Sequence, residues 1–327
     1  MIITQTPFRM SFFGGGTDME SHFREHGGAV LSATFDKYCY VQVRHLPPFF
    51  EYKSEVIYSR TERITNTADI CHPLIRNAMQ MMDMHDLRVT YDADLPARSG
   101  LGTSSSFAVG MLNAFHALRG EPVTKRMLAD EAIHLERNIC KEAGGWQDQV
   151  AAAFGGLNRI DFGPDGYQVQ PLDIAPERRD RLCSNLLMFF TGFTRLSCEV
   201  QEMNAQSAPA NKTATLCEMH HLVDEAQAVL VNPAADLDDF GRLLDVTWRL
   251  KKQTGGSITT NAIDEMYMCG MAAGALGGKL LGAGNGGFLV FYVPDGLQER
   301  VRRVMGNLLE IPFQFEYEGS QILYHRA

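Results

Sequence analysis

The segment that decides the fold is Leu95-Pro-Ala-Arg-Ser-Gly-Leu-Gly-Thr-Ser-Ser-Ser106. It places a glycine loop directly before a pattern in which apolar side chains recur at helical spacing from Phe107 to Leu118. Upstream, residues 87–93 alternate apolar and polar side chains, as a half-buried strand does. Backbone N–H groups and the positive end of a helix dipole converge at such a loop, so the segment predicts a phosphate site. The alternative is a helix start capped by a hydroxyl side chain, a position that Ser and Thr favour.

Composition excludes several classes of protein. The 327 residues suffice for two domains with large cores, and 45% of them are hydrophobic. The net charge of −9 argues against a nucleic-acid partner, because phosphate backbones are bound by basic surfaces. Seven dispersed cysteines with no Cys-x-x-Cys pair predict reduced thiols in a cytoplasmic protein. The most apolar region, 268–293, is interrupted by glycines, Lys279 and Asn285, so we expect no membrane-spanning helix.

The order of elements predicts an α+β fold with two lobes. Short strands dominate residues 1–95, and helical patterns dominate residues 103–154. Because strands and helices interleave without strict alternation, a doubly wound sheet is disfavoured. Pro176 and the charged run after it suggest a boundary, which gives domains 1–180 and 181–327.

A glycine triplet near the N-terminus is the second candidate binding loop. Thr6-Pro-Phe-Arg9 is followed by Gly14-Gly-Gly-Thr-Asp18. Consecutive glycines let the backbone approach a ligand closely, and the Asp18 carboxylate could accept hydrogen bonds from sugar hydroxyls. The alternative is an ordinary turn with a helix cap at Thr17 or Asp18.

Two carboxylates follow the first loop. Glu136 lies at the margin of an apolar helical stripe, and Asp148 follows a sharp bend at Gly144-Gly-Trp-Gln147. Phosphoryl transfer needs one carboxylate for Mg²⁺ and another near the acceptor hydroxyl. An exposed helical Glu and a capping Asp are the alternatives.

A third glycine loop occurs late in the chain. Gly277-Gly-Lys-Leu-Leu-Gly-Ala-Gly-Asn-Gly-Gly287 contains six glycines and runs into the apolar strand 288–293. Ordering so many glycines is costly, which favours a loop that faces a ligand over a tight loop pressed against a helix. The chain has no Gly-x-x-x-x-Gly-Lys-Ser/Thr motif, and the dinucleotide fingerprint does not fit this context.

Taken in order, these motifs resemble those of the GHMP kinases over essentially the whole chain. Pro7-Phe-Arg9 with Gly14–Asp18 resembles the family's first motif. Pro96–Ser104 resembles the second, with Thr103 in place of a Ser, and Gly282–Gly287 resembles the third.

The resemblance implies roles for individual residues. It implies a Mg²⁺-binding Glu at Glu136 and a catalytic Asp twelve residues later at Asp148, with Arg9 nearby to stabilise its charge. Ser104 would share the Mg²⁺ with Glu136. ATP would be bound by Pro96, Ser99, Gly100, Leu101, Gly102, Thr103, Ser104 and Ser105. Substrate would be bound by Gly14, Gly15, Gly16, Thr17, Asp18, Gly284, Gly286 and Gly287.

The resemblance also implies a fold and a reaction. The N-terminal lobe would resemble domain 2 of ribosomal protein S5, and the C-terminal lobe would be ferredoxin-like. Thr6-Pro-Phe-Arg-Met-Ser11 leading to Gly14–Asp18, and the run Gly277–Gly284, resemble the kinases of D-glycero-D-manno-heptose 7-phosphate within the family. Those enzymes phosphorylate the anomeric C1 hydroxyl to give the 1,7-bisphosphate for nucleotide-activated heptose of surface polysaccharides. Galactokinases carry Gly-Glu-His-Thr-Asp where this chain has Gly14-Gly-Gly-Thr-Asp18, which leaves room for a bulkier sugar phosphate.

Several points stay open in the sequence. Another acceptor, such as L-fucose or mevalonate, and a non-catalytic regulator that binds sugar and ATP are the alternative functions. The 7-phosphate needs a cation, for which we expect Arg195 ahead of Arg24, Lys37 and Arg98. Small molecules are the expected partners, without nucleic acid or membrane, and a homo-oligomer stays open.

Overall fold

The structure, a computed structural model, describes residues 1–97, 99–192, 211–256 and 258–326. Two long antiparallel strands, β1 (Ile2–Phe13) and β2 (Gly28–His45), form the centre of its larger sheet. Both faces of β1 are covered from Thr6 onward, so its side chains are buried without alternation. The sequence predicted only short strands in this region, whereas β1 has 12 residues and β2 has 18.

The larger sheet gathers strands from both ends of the chain. Its order is β13-β1-β2-β5-β3-β4, with β6 and β12 also paired to β2 and β7 paired to β6. The pairs are antiparallel except that β3 runs parallel to β5. The remaining members are β3 (Ser54–Ile57), β4 (Thr61–Ile64), β5 (Leu87–Ala93), β6 (Leu157–Gly163), β7 (Gly166–Pro171), β12 (Phe315–Glu316) and β13 (Gln321–His325).

Helices pack on this sheet, and α3 is the central one. It is buried almost throughout because β1 and β2 lie on one side of it and neighbouring helices on the other. Gly110 lets α3 approach β1 closely, since a Cβ atom there would lie 2.7 Å from the Thr6 hydroxyl. The helices of this lobe are α1 (Glu20–His26), α2 (Pro73–Met81), α3 (Thr103–Arg119), α4 (Lys125–Ile133), α5 (Gln147–Phe154) and α6 (Pro176–Ser184).

The second lobe has a four-stranded antiparallel sheet of order β11-β8-β10-β9. Its strands are β8 (Leu186–Phe190), β9 (Gly277–Leu280), β10 (Phe288–Tyr292) and β11 (Leu309–Glu310). Its helices are α7 (Lys212–Val231), α8 (Asp238–Lys252), α9 (Asn261–Ala272) and α10 (Gln298–Val304). The predicted two-lobed α+β fold is thus confirmed.

Two local predictions of secondary structure are wrong, and the predicted domain boundary needs one qualification. The charged run after Pro176 is helix α6, and Gly277–Leu280 is strand β9, although both were predicted as connections. The domain boundary at residue 180 stays a prediction. The sheets add that β12 and β13, from the end of the chain, pair with the first lobe.

Candidate active site

The glycine loop before α3 leaves backbone N–H groups available. Gly102 precedes the helix in a left-handed conformation, with φ of 73°, and no side chain of the described residues caps the first turn. The helix start therefore differs from the hydroxyl-capped alternative. The buried Ser99 hydroxyl also has no hydrogen-bond partner in the described part of the chain. Such a loop suits phosphate oxygens, which would accept from these donors.

The predicted catalytic pair lies beside this loop. Arg9 donates from Nε to Oδ1 of Asp148 at 2.7 Å, and its Nη2 lies 2.7 Å from the same oxygen. Arg9 also donates from Nη1 to the Gly100 carbonyl at 2.6 Å. A Cβ atom at Gly102 would lie 3.4 Å from Cγ of Asp148, so the carboxylate contacts the loop directly. Segments far apart in sequence thus meet at one place.

Glu136 lies in a single π-helical turn, His134–Ile139, which follows α4. Its buried carboxylate accepts a hydrogen bond from the Ser105 hydroxyl at 2.7 Å and another from the Gln149 side-chain amide. Ser104, the predicted metal ligand, is exposed and forms no hydrogen bond with Glu136. Ser105 was predicted only as an ATP-binding residue, and Gln149, one residue after Asp148, was not singled out from the sequence.

The donor set around Glu136 fits Mg²⁺. The Gln149 carbonyl oxygen is buried and lacks a partner among the described residues, so it is an oxygen ligand without another use. Within the same described ranges no cluster of three His, Cys, Asp or Glu side chains could hold a metal by itself. Mg²⁺ at phosphate sites usually takes one or two protein carboxylates and completes its shell with phosphate oxygens and water, so Glu136 with neighbouring oxygens is sufficient.

Asp18 is buried beside the catalytic pair. It accepts from the backbone N–H of Gly16 at 2.8 Å and of Gln147 at 3.3 Å. Burial raises its pKa above the ordinary value, the Gly16 hydrogen bond opposes this, and the nearby charge of Asp148 raises the pKa further. Gly145 must lack a side chain, since a Cβ atom there would lie 1.9 Å from Oδ2 of Asp18.

The glycine triplet divides into residues that hold the loop and residues that leave space. A Cβ atom at Gly14 would collide with the Ala29 carbonyl, and Thr17 donates its hydroxyl to the carbonyls of Gly14 and Ala29. These two residues fasten the loop to β2, and a substrate contact at either of them stays a prediction. Gly15 instead faces the Ser11 hydroxyl, which is buried and has no partner among the described residues.

The third glycine loop supports the first. A Cβ atom at Gly282 would lie 2.4 Å from Cα of Gly100, and one at Gly287 would lie 2.1 Å from the Ser99 carbonyl oxygen. Gly284 packs in the same way on Ile258, and Gly286 is buried. The two loops therefore touch through their backbones, which requires glycine and makes the second lobe a support of the phosphate loop.

The predicted cations for the acceptor phosphate are not found in the described part of the site. Arg195 and Arg98 lie outside the described residues, and Arg24 and Lys37 form surface ion pairs with Glu20 and Asp36. Sequence reasoning missed two lysines that lie beside the glycine triplet, Lys251 and Lys279. Lys279 was visible inside the third glycine loop, whereas Lys251 looked like one of two solvent-facing lysines at a helix end.

Comparisons with known proteins identify the family and its similar members. The model of the GHMP kinases N terminal domain matches residues 67–156, and that of the GHMP kinases C terminal domain matches residues 227–310. A D-glycero-alpha-D-manno-heptose 7-phosphate kinase of Campylobacter jejuni is 29% identical over 97% of either chain. The crystal structure of a D-glycero-D-manno-heptose 1-phosphate kinase from Bacteroides thetaiotaomicron superposes with a TM-score of 0.82 at 25% identity, covering all of both chains.

More distant structures share the fold alone. The Methanococcus jannaschii mevalonate kinase has a TM-score of 0.72 at 17% identity, and the match covers 97% of this chain and 98% of that chain.

None of the helices in the described ranges combines the length and apolar character needed to cross a bilayer.

Proposed function

The chain belongs to the GHMP kinases, and we propose that it transfers the γ-phosphoryl group of ATP to the C1 hydroxyl of D-glycero-D-manno-heptose 7-phosphate. The observation that carries the proposal is the contact of Asp148 and Arg9 with the loop at Gly100–Gly102. An acceptor hydroxyl bound at Asp148 would lie next to phosphates bound at the start of α3. The non-catalytic alternative is disfavoured because both carboxylates, Glu136 and Asp148, are present and poised at this loop.

In the proposed reaction, the backbone N–H groups of the loop and of the first turn of α3 bind the triphosphate. Asp148 orients or deprotonates the C1 hydroxyl, and Arg9 fixes the carboxylate and offsets charge that develops on the phosphoryl group. Glu136 with Ser104 or Ser105 would hold Mg²⁺, which when bound supplies charge neutralisation at the β- and γ-phosphates. Catalysis then depends on position and electrostatics, and no covalent enzyme intermediate is needed.

Two observations support the proposed acceptor: the similarity to a heptose 7-phosphate kinase and the space beside Asp18. The relative from C. jejuni, similar over 97% of either chain, is named for heptose 7-phosphate. Gly15 and Gly16 leave room beside Asp18, and the buried polar atoms of Ser11 and Gln147 there lack partners among the described residues. Asp18 would accept hydrogen bonds from sugar hydroxyls. The reaction consumes ATP, which supports a cytoplasmic location. Its 1,7-bisphosphate product would serve as a precursor of activated heptose for surface polysaccharides.

The test is a panel of acceptors with a coupled assay of ADP formation. Heptose 7-phosphate should exceed L-fucose, mevalonate and galactose by at least about 10²-fold in kcat/KM, since missing contacts of one or two kcal/mol each accumulate. Phosphorus NMR of the product should show the new phosphate coupled to the anomeric proton. A preference for L-fucose, or a product phosphorylated elsewhere than C1, would overturn the acceptor or the position.

A further inference from the structure

Two lysine ammonium groups lie against the segment that carries the glycine triplet. Lys251, the penultimate residue of α8, donates from Nζ to the Gly15 carbonyl at 3.0 Å. Lys279, in β9, donates from Nζ to the Phe12 carbonyl at 3.0 Å and is 4% exposed. Both come from the second lobe and reach into the first. Each therefore places a positive charge beside the proposed acceptor site.

Neither ammonium is neutralised by the described residues. The lysines that form ion pairs within the described ranges are Lys37 and Lys252, whereas Lys251 and Lys279 have only their carbonyl partners. Asp18 acts on both at a distance, but its oxygens already accept backbone N–H groups. A buried charge without a counterion is costly, so this cluster has a deficit of negative charge that a ligand could supply.

The pKa values of Lys251 and Lys279 also indicate that their positive charges lack compensation. Burial lowers the pKa of Lys251, and the charge of Asp18 opposes that shift. Burial lowers the pKa of Lys279 well below its ordinary value, and the positive charges of Lys251 and Arg9 lower it further. Lys279 is therefore repelled by Lys251 and by Arg9, although Arg9 is paired with Asp148 and the charge of Asp18 opposes the effect. An anionic group bound there would relieve this repulsion and keep the lysines charged.

The position of Lys251 selects the acceptor side over the triphosphate. A Cβ atom at Gly16 would lie 3.4 Å from Nζ of Lys251, so this ammonium lies directly against the glycine triplet. The Lys251 residue is partly exposed, although its charged end is packed among protein atoms, whereas Lys279 is closed off behind the loop. Of the two, Lys251 is therefore the lysine that a ligand at the triplet would contact, and Lys279 can act on that ligand only through its field.

We propose that Lys251 binds the anionic group of a phosphorylated sugar acceptor, with Lys279 as a positioning cation behind it. The proposal rests on the proposed function, because it names the side chain that would recognise the phosphate remote from C1. Lys251 thus takes the role that was expected of Arg195, which lies outside the described residues. The substrate class is a sugar phosphate, as distinct from a free sugar.

The experiment compares Lys251→Met with Lys252→Met. Lys252 is the adjacent lysine of α8, but its Nζ lies 3.1 Å from Asp264, away from the triplet, so it controls for loss of charge on the same helix. The measured quantity is kcat/KM for heptose 7-phosphate divided by kcat/KM for the unphosphorylated heptose. Lys251→Met should lower this ratio by about 10- to 10²-fold, the worth of a charge-assisted hydrogen bond. Lys252→Met should leave it unchanged, and Lys251→Arg should restore part of it.

The outcomes separate this proposal from the proposed function. An equal loss with both acceptors would make Lys251 a support of Gly15 alone and would overturn the proposal. If the unaltered protein does not phosphorylate heptose 7-phosphate, the proposed function fails, and calorimetry with mannose 6-phosphate and inorganic phosphate tests the anion site independently. Binding that Lys251→Met abolishes would support the site. Binding that is absent, or equal in both proteins, would refute it.

Discussion

At the scale of single residues, the pairing of Arg9 with Asp148 explains how one carboxylate is prepared for an acceptor. Both nitrogens of Arg9 that reach Asp148 contact the same oxygen, Oδ1. Oδ2 therefore keeps its lone pairs for a hydroxyl, and the side chain of Asp148 remains 25% exposed toward the site. The planar guanidinium also ties the carboxylate to the Gly100 carbonyl, which fixes its distance from the phosphate loop.

Replacing this carboxylate should slow the chemical step. Asp148→Ala should lower kcat by roughly 10²–10⁴-fold if Asp148 acts as a general base, which corresponds to about 3–5 kcal/mol in the barrier. Asp148→Asn tests the charge with the shape retained. Asp295→Asn is the control, because Asp295 pairs with Arg181 on the surface in a comparable way. Steady-state kinetics check the result, and near-normal turnover of both Asp148 variants would rule out the assignment.

The site could be predicted from sequence where residues stand in a motif. Asp18, Glu136 and Asp148 were predicted in this way, and the structure places Asp18 and Asp148 near each other. The contacts of Ser105 and Gln149 with Glu136 were not predicted, because the sequence does not reveal which of several adjacent hydroxyls turns toward Glu136. Lys251 was invisible for another reason: a lysine at a helix end is usually solvated, and its burial depends on the partner lobe.

At the scale of elements, two glycine loops hold each other. The loop before α3 and the loop before β10 meet at Gly100 and Gly282, whose backbones are too close for any side chain. Because the phosphate loop thus rests on the second lobe, its shape depends on residues that need not touch the nucleotide. This is the physical reason for the many glycines of the third motif.

A methyl group at this junction should weaken nucleotide binding. In Gly100→Ala the new Cβ atom would lie 2.3 Å from the Leu281 carbonyl oxygen, so the loops must separate. We expect the KM for ATP to rise at least about 10-fold, which is 1.4 kcal/mol or more. Gly296→Ala is the matched control, since Gly296 has φ of 83° against 82° at Gly100 but nothing within 4 Å. Equal effects of the two variants on ATP binding would show that backbone strain alone is responsible.

Element prediction succeeded where hydrophobic periodicity was plain and failed where it was absent. The strand at 87–93 and the helices within residues 103–154 agree with the predicted patterns. The second half of β1 is buried on both faces, so it shows no alternation. Helix α6 buries only Leu182 and Cys183, too few apolar residues for a visible period, although Pro176 stands at its favoured first position.

At the scale of the whole molecule, the last strand of the larger sheet in sequence order pairs with the first. Strand β13 pairs with β1, and the Ser320 hydroxyl lies 2.8 Å from that of Thr6. Asn113 of α3 donates to the same Ser320 oxygen at 3.0 Å. The end of the chain therefore braces the strand that carries Arg9. Sequence periodicity cannot reveal such a pairing, because it contains no information on which distant strand a short segment joins.

Lys279 connects the lobes at a cost to stability. Its ammonium, from β9 of the second lobe, is held by the Phe12 carbonyl of β1 in the first. Because its pKa is lowered in the folded protein, the folded state binds its proton less tightly than the unfolded state does. The penalty is complete below the lowered pKa, decreases as the pH rises through it, and vanishes above the ordinary lysine pKa of about 10.4.

Lys279→Met should therefore stabilise the protein near neutral pH and weaken it as an enzyme. Replacing a buried charge by an apolar side chain of similar shape is often neutral or stabilising, so we expect Tm to rise by about 2 °C or more. The gain should shrink as the pH is raised toward 10, because the lysine of the unaltered protein then loses its charge. Thermal unfolding in phosphate-free buffer measures both effects. The KM for the sugar phosphate should rise in the same variant, since the field behind Lys251 is lost. If Lys279→Met had a lower Tm than the unaltered protein at neutral pH, or if its stabilisation grew with pH, the charge of Lys279 would not be a cost to the folded protein.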